Sequence, residues 1–221
     1  MDKLSQGIEQ MKQQDFEEAA KSFTEAIEES PQDPVGYINF GNLLLHMNDY
    51  ERAEQFFHRA LELDGQAATA HYGLGNVYYD QEAYLKAQQS FQAALEAGLE
   101  EADVYFLLGM SMVHQEHVKL AMPYLLRASE LAPEDVDIQF QYGLCLAQND
   151  QIDAAEDVMR IVLQLDSDHS DAHYNLAVAA LHKEDPEKAL SHLEKALDIQ
   201  PDHMLAAHAK EQVEQALGGN S

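Results

Sequence analysis

Apolar positions along this chain recur at helical spacing, in segments of helical length separated by short polar breaks such as Met47 to Tyr50 and Lys183 to Pro186. A second kind of break carries Pro31, Pro133 or Pro201, so the pattern predicts helices taken in antiparallel pairs. The stretch from Ala70 to Tyr79 adds something that an ordinary surface helix lacks. Wound as a helix, it puts Leu74, Gly75 and Tyr78 on one side, while Tyr72, Asn76 and Tyr79 form a second stripe roughly 115° further round. Such a helix has two faces to occupy.

The pairs repeat every 34 residues, six times without a gap. Ala19, Ala53, Ala87, Ala121, Ala155 and Ala189 mark one register, and the small residues Gly7, Gly41, Gly75, Gly109, Gly143 and Ala177 mark another. A bulky side chain follows each alanine (Phe23, Phe57, Phe91, Leu125, Met159, Leu193), and then Ala26, Ala60, Ala94, Ala128, Val162 and Ala196. The small residues let two helix backbones approach closely, with the bulky one filling the space beside them.

These registers resemble the tetratricopeptide repeat, whose 34-residue pattern is Trp, Leu-Gly, Tyr, Ala, Phe, Ala, Pro. The resemblance covers essentially the whole chain. It implies an all-α fold: an α-solenoid, wound as a right-handed superhelix, of six helix-turn-helix units. The expected organisation is one domain over residues 1–217, with repeats at about 1–33, 34–67, 68–101, 102–135, 136–169 and 170–203. A capping helix at about 204–217 and a flexible tail at 218–221 complete it. On the cap, Leu205, Ala209, Val213 and Ala216 form the expected buried stripe. No cap is visible at the amino-terminal end, where Met1 is expected to belong to the first helix. The chain departs from the family at the Trp position, which holds Lys3, Tyr37, His71, Tyr105, Gln139 and His173. Pro123 is expected to kink the second helix of repeat four or delay its start.

The second stripe runs through every repeat, and of its eighteen positions only Asn42 and Asn76 are polar. The resemblance places them on the concave surface, and a contiguous apolar band on a water-facing surface marks an interaction site. The expected partner groove comprises Ile38, Asn39, Asn42, Tyr72, Asn76, Tyr79, Phe106, Met110, Phe140, Tyr174 and Asn175. Aromatics would form pockets for apolar anchors, and asparagines would hydrogen-bond the backbone of an extended peptide, as they do in family members that bind peptides. Asp103, Asp137 and Asp171 form a ladder that would select Lys or Arg, or that serves only the first-turn preference for an acid. The competing reading of the stripe is that its side chains pack on the next repeat. Co-chaperones of this family grip a terminal carboxylate with Lys and Arg; the matching positions here are Leu4, Ile8, Asn39, Thr69 and Gly73, of which only Asn39 fits.

Charge narrows the partners. With 13 Lys and Arg against 40 Asp and Glu, the formal net charge is -27, which argues against nucleic acid and anionic membranes. The 36 concave positions hold only four acids and one base, so the acidity belongs to the exterior, and an apolar or basic protein segment is the expected partner. Cys145 is the one cysteine and excludes an internal disulfide; with no apolar leader and no long apolar run, a cytoplasmic monomer is expected.

No catalytic signature stands out and no cofactor is expected, since Gly73 to Gly75 lacks the rest of a dinucleotide fingerprint. His169 and His173, with Asp168 and Asp171, are the best metal candidates, yet His169 falls in a loop, and no metal site is assigned. His46, His114 and His182 stand two repeats apart, too far to share an ion. The reading is a non-catalytic adaptor. A His/Asp metal-dependent hydrolase and a subunit that self-associates through the uncapped first repeat are the alternatives.

Overall fold

The computed structural model describes residues 2–218, and among these every regular element is an α-helix. The helices are α1 (Lys3–Lys12), α2 (Phe16–Glu29), α3 (Pro34–His46), α4 (Tyr50–Leu63), α5 (Ala68–Asp80), α6 (Tyr84–Glu96), α7 (Ala102–His114), α8 (Val118–Leu131), α9 (Val136–Gln148), α10 (Ile152–Leu165), α11 (Ser170–His182), α12 (Pro186–Ile199) and α13 (Met204–Gly218). Met1 and residues 219–221, which include most of the expected tail, lie outside the described residues. The chain forms two compact units, residues 1–117 with α1 to α7 and residues 118–221 with α8 to α13.

Local chemistry sets the helix ends. Asp2, Asp15, Asp33, Asp49, Asp135 and Asp185 each accept a backbone N–H as N-caps. Within each repeat the first helix turns into the second through one left-handed residue: Gln14, Asn48, Glu82, Glu116, Asp150 or Glu184, all with φ between 58° and 63°. The following N–H reaches back five residues, as from Asp49 to Leu44 O and from Ala83 to Tyr78 O, a helix-ending motif that ordinarily takes glycine.

In the first unit, α1 packs on α2, α3 on α4 and α5 on α6 through the small-residue register. A Cβ added to Gly7, Gly41 or Gly75 would meet the ring of Phe23, Phe57 or Phe91 at 2.5, 2.8 or 2.4 Å. Those three rings and the partner alanines Ala19, Ala53 and Ala87 are 0% exposed. In the second unit Gly143 faces Met159, and Ala177 shares a buried cluster with Leu193. Val162, where alanine is usual, is fully enclosed beside Ala172 and Leu176.

Successive repeats within a unit stack through a third register on each first helix. Ala70 and Val104 in the first unit, and Ile138, Ala172 and Ala206 in the second, are all nearly or fully buried. The residues at the family's Trp position reinforce that stack in several repeats. Tyr37, His71 and Gln139 each bond the carbonyl six residues earlier, at Pro31, Gly65 and Pro133, and His173 bonds Ser167 in the same way. Four of the six departures from Trp therefore act alike, since each satisfies the carbonyl of a loop leaving the previous helix.

Two expectations need correction. The cap α13 buries Ala206 and Val213 with Ala209 half-covered, whereas Leu205 is 60% exposed and Ala216 is exposed. It packs by the third register, as the earlier first helices do, so Ala206 follows Ala172 by one period. Of the two effects expected of Pro123, the delayed start is the one that fails: α8 begins at Val118 in register with Tyr50 and Tyr84 and continues to Leu131 with Pro123 inside it.

Candidate functional site

The second stripe is half-buried along most of its length, because each first helix uses it both to face outward and to seat what comes next. In the first unit Tyr72 packs against Phe91 with ring centroids 5.9 Å apart and planes tilted by 51°. Burial pushes the Tyr72 phenol up, a hydrogen bond with Asn76 pulls it down, and the charges of Asp103 and Glu101 add to the rise. Tyr79, also pushed up by burial, places its hydroxyl 3.1 Å from His114 Nε2. His114 stacks face to face on Tyr84 at 4.3 Å, and Tyr79 meets Tyr84 edge-on, which closes a three-ring cluster between α5, α6 and α7. Ile38 is only 8% exposed and belongs to the core. Phe106 and Met110 are half-buried on α7, and Asn42 is exposed with no protein partner among the described residues.

In the second unit Phe140 lies against His169 at 4.5 Å with the ring planes tilted by 37°, and packs with Leu144 against Met159, Val162, Ala172 and Leu176. Tyr174 lies against His203 at 5.3 Å. Asn175 and, in the first unit, Asn39 each donate one amide N–H to their own helix, at Asp171 O and Val35 O, keeping one N–H and the oxygen for other use. Asp103 and Asp137 are exposed. Asp171 is engaged, with Oδ1 3.1 Å from His203 Nε2, although off the line of a well-directed hydrogen bond.

Sequence reasoning missed His203, Glu156 and Tyr84. His203 Nδ1 accepts the Ala206 N–H as the N-cap of α13, and His169, one period earlier, does the same for Ala172. The 34-residue spacing was the available signal. Glu156, at 4% exposure, gathers Arg160, Lys183 and Lys188 at 2.6 Å each, and Lys183 and Lys188 above all hold its carboxyl down to about 2. Such a cluster is invisible at the level of spacing, because its cations come from α10, from the loop after α11 and from α12.

His169 and His173 do not converge. His169 caps its helix, while His173 turns its Nδ1 to His192 Nδ1 at 3.1 Å. Among the described residues no group of three or more His, Cys, Asp or Glu is placed to hold a metal ion. Cys145 is buried, and burial raises its thiol pKa.

Models of the tetratricopeptide repeat match residues 10–64, 38–98, 72–136, 106–169 and 170–203. The chain belongs to the tetratricopeptide repeat family. The crystal structure of YrrB, described as a tetratricopeptide repeat protein with an unusual peptide-binding site, is 50% identical; the match covers 87% of this chain and 99% of that one, with a TM-score of 0.84. The curated TPR repeat-containing protein YrrB of Bacillus subtilis (strain 168) is 53% identical over 38 residues, a match spanning 17% of this chain and only 18% of that relative. PilF of Pseudomonas aeruginosa, 16% identical with a TM-score of 0.80 over 95% of this chain and 96% of its own, shows the fold alone. Tetratricopeptide repeats of this kind make protein-interaction scaffolds, and no described helix is long and apolar enough to cross a membrane.

Proposed function

We propose that this protein is a non-catalytic adaptor that binds an extended peptide or protein segment along the second stripe of its first helices. The observation that carries the reading is that this stripe stays partly open after folding. Tyr72, Asn76, Tyr79, Phe106 and Met110 are half-buried and Asn42 is exposed, whereas the other two registers of the same helices are closed. Aromatic and thioether surface supplies apolar area, and the amides of Asn39, Asn42 and Asn175 supply donors and acceptors for a peptide backbone. The peptide-binding site described for YrrB supports the same reading.

The partner segment is apolar, with basic residues favoured near Asp103 and Asp137; Asp171 contributes less because His203 already occupies it. Random dodecapeptides displayed on phage and selected on the immobilised protein test this, with titration calorimetry of the selected sequences. Binding should fall about tenfold or more for the Asn42→Ala, Met110→Ala double variant and stay unchanged for Gln55→Ala, at an exposed position on the second helix of its repeat. Equal affinity for wild type and the double variant would sink the groove reading.

A further inference from the structure

In a chain with 40 acidic residues, one pocket on the open face is lined by no acid at all. It holds about 270 Å³ between α1 and α3 and is lined by Ile8, Met11, Lys12, Asn39, Asn42 and His46. Two of these side chains are apolar, and the other four carry hydrogen-bonding nitrogen.

Lys12 is exceptional among the cations of its unit. Lys3 pairs with Glu25, Lys21 with Glu17 and Glu18, Arg52 with Asp49 and Arg59 with Glu62, while Lys86 lies over the Tyr78 ring at 4.9 Å. Among the described residues, Lys12 has no anion, hydrogen-bond acceptor or ring. Asn42 has no partner either, Asn39 keeps one free amide N–H, and His46 meets Phe16 edge-on at 5.0 Å with neither ring nitrogen hydrogen-bonded. Lys12 and His46 both lie in the last turn of their helices, where the dipole favours a cation. That preference accounts for a basic residue type at each position and consumes none of their donors.

We propose that this pocket receives a glutamate side chain of the bound peptide, with its methylenes over Ile8 and Met11 and its carboxylate at Lys12 and Asn42. An extended peptide passing along the groove presents such a side chain without having to end there. The acidic exterior repels a carboxylate only over a screening length of about 8 Å at physiological salt, so the local donors govern the pocket. The partner motif thus carries an acid at the α1–α3 end, in contrast to the basic preference near Asp103. The inference rests on the groove reading, and its test is independent of the peptides selected above.

The probes are N-acetyl-glutamate N-methylamide, its neutral glutamine counterpart, and N-acetyl-leucine, which carries a terminal carboxylate. Each is titrated into the full chain, with NMR readout of the Asn39 and Asn42 side-chain amides and the His46 ring. The glutamate probe should move those signals saturably in the millimolar range. The glutamine probe, and the glutamate probe on Lys12→Gln, should bind about tenfold or more weakly, as expected for loss of a charge-assisted contact. Equal binding of the acid and amide probes, an unchanged affinity in Lys12→Gln, or no shifts at all would overturn the assignment. Tighter binding of N-acetyl-leucine would give the pocket to a chain terminus and overturn the side-chain reading. If the phage-selected peptides still depend on Asn42 and Met110 while the probes fail, the groove stands without this pocket.

Discussion

Gly75→Ala places a methyl group where the buried ring of Phe91 already sits. The new Cβ would lie 2.4, 2.5 and 2.8 Å from three ring carbons, against an ordinary carbon contact of about 3.5–4.0 Å, so the ring must retreat by about 1 Å. Phe91 is 0% exposed and has nowhere to go without displacing its neighbours. Overpacking of this kind costs about 1–3 kcal/mol, while exchanging glycine for alanine inside a helix returns about 1 kcal/mol. Replacing Phe91 by leucine removes the obstruction, as the buried combination of Ala177 with Leu193 in the last repeat illustrates. A double-mutant cycle with Phe91→Leu should therefore show Gly75→Ala as neutral to destabilising in the wild-type background and stabilising by about 1 kcal/mol beside leucine. The coupling should be about 1–3 kcal/mol. Urea unfolding followed by circular dichroism measures it, and amide exchange in α5 and α6 reports the same coupling locally, since repeat arrays can lose all-or-none behaviour. Stabilisation by the same amount in both backgrounds would refute the close-approach argument.

Other outcomes follow from particular residues. Glu82→Gly should stabilise the chain by about 0.5–1 kcal/mol in urea unfolding, because glycine relieves the left-handed strain at φ 59° for little loss elsewhere. Glu156→Gln should cost about 1–3 kcal/mol, as it removes the hub of three cations. In the wild type, the Glu156 contribution should be complete above pH 4.5 and lost as pH falls towards 2, because the folded carboxyl is held below its unfolded value. His192 acts in an earlier window. Burial, then the charges of His173 and Lys195, lower it from 6.5 to about 4, so between those values the unfolded chain takes up a proton that the folded chain refuses. Stability should fall by about 1–2 kcal/mol as pH drops through that range, and urea midpoints of His192→Asn should lose that part of the slope.

Much of the fold is legible in the residues themselves. A repeat of 34 places Gly75, Ala87 and Phe91 in one register, and helical geometry alone brings them together, since each helix pair is local in sequence. The same arithmetic was available for the register that packs α13, from Ala172 to Ala206, and for the histidine caps at His169 and His203. The candidate site was legible only in outline. Sequence places Tyr72, Asn76 and Tyr79 on a second face of their helix, but the remaining exposure of a face depends on how far one helix sits from the next. That distance is set by side chains from several helices at once. Tertiary structure alone therefore buried Ile38, seated Phe140 on His169 and gave Asp171 to His203, while leaving Asn42 open. Charge divides in the same way: composition fixes the net value of -27, but only packing decides which cations are paired, gathering three of them on Glu156 and leaving Lys12 without a partner among the described residues. Spacing along the chain governs contacts between neighbours in a helix pair, and burial and pairing depend on the whole set of atoms around each group.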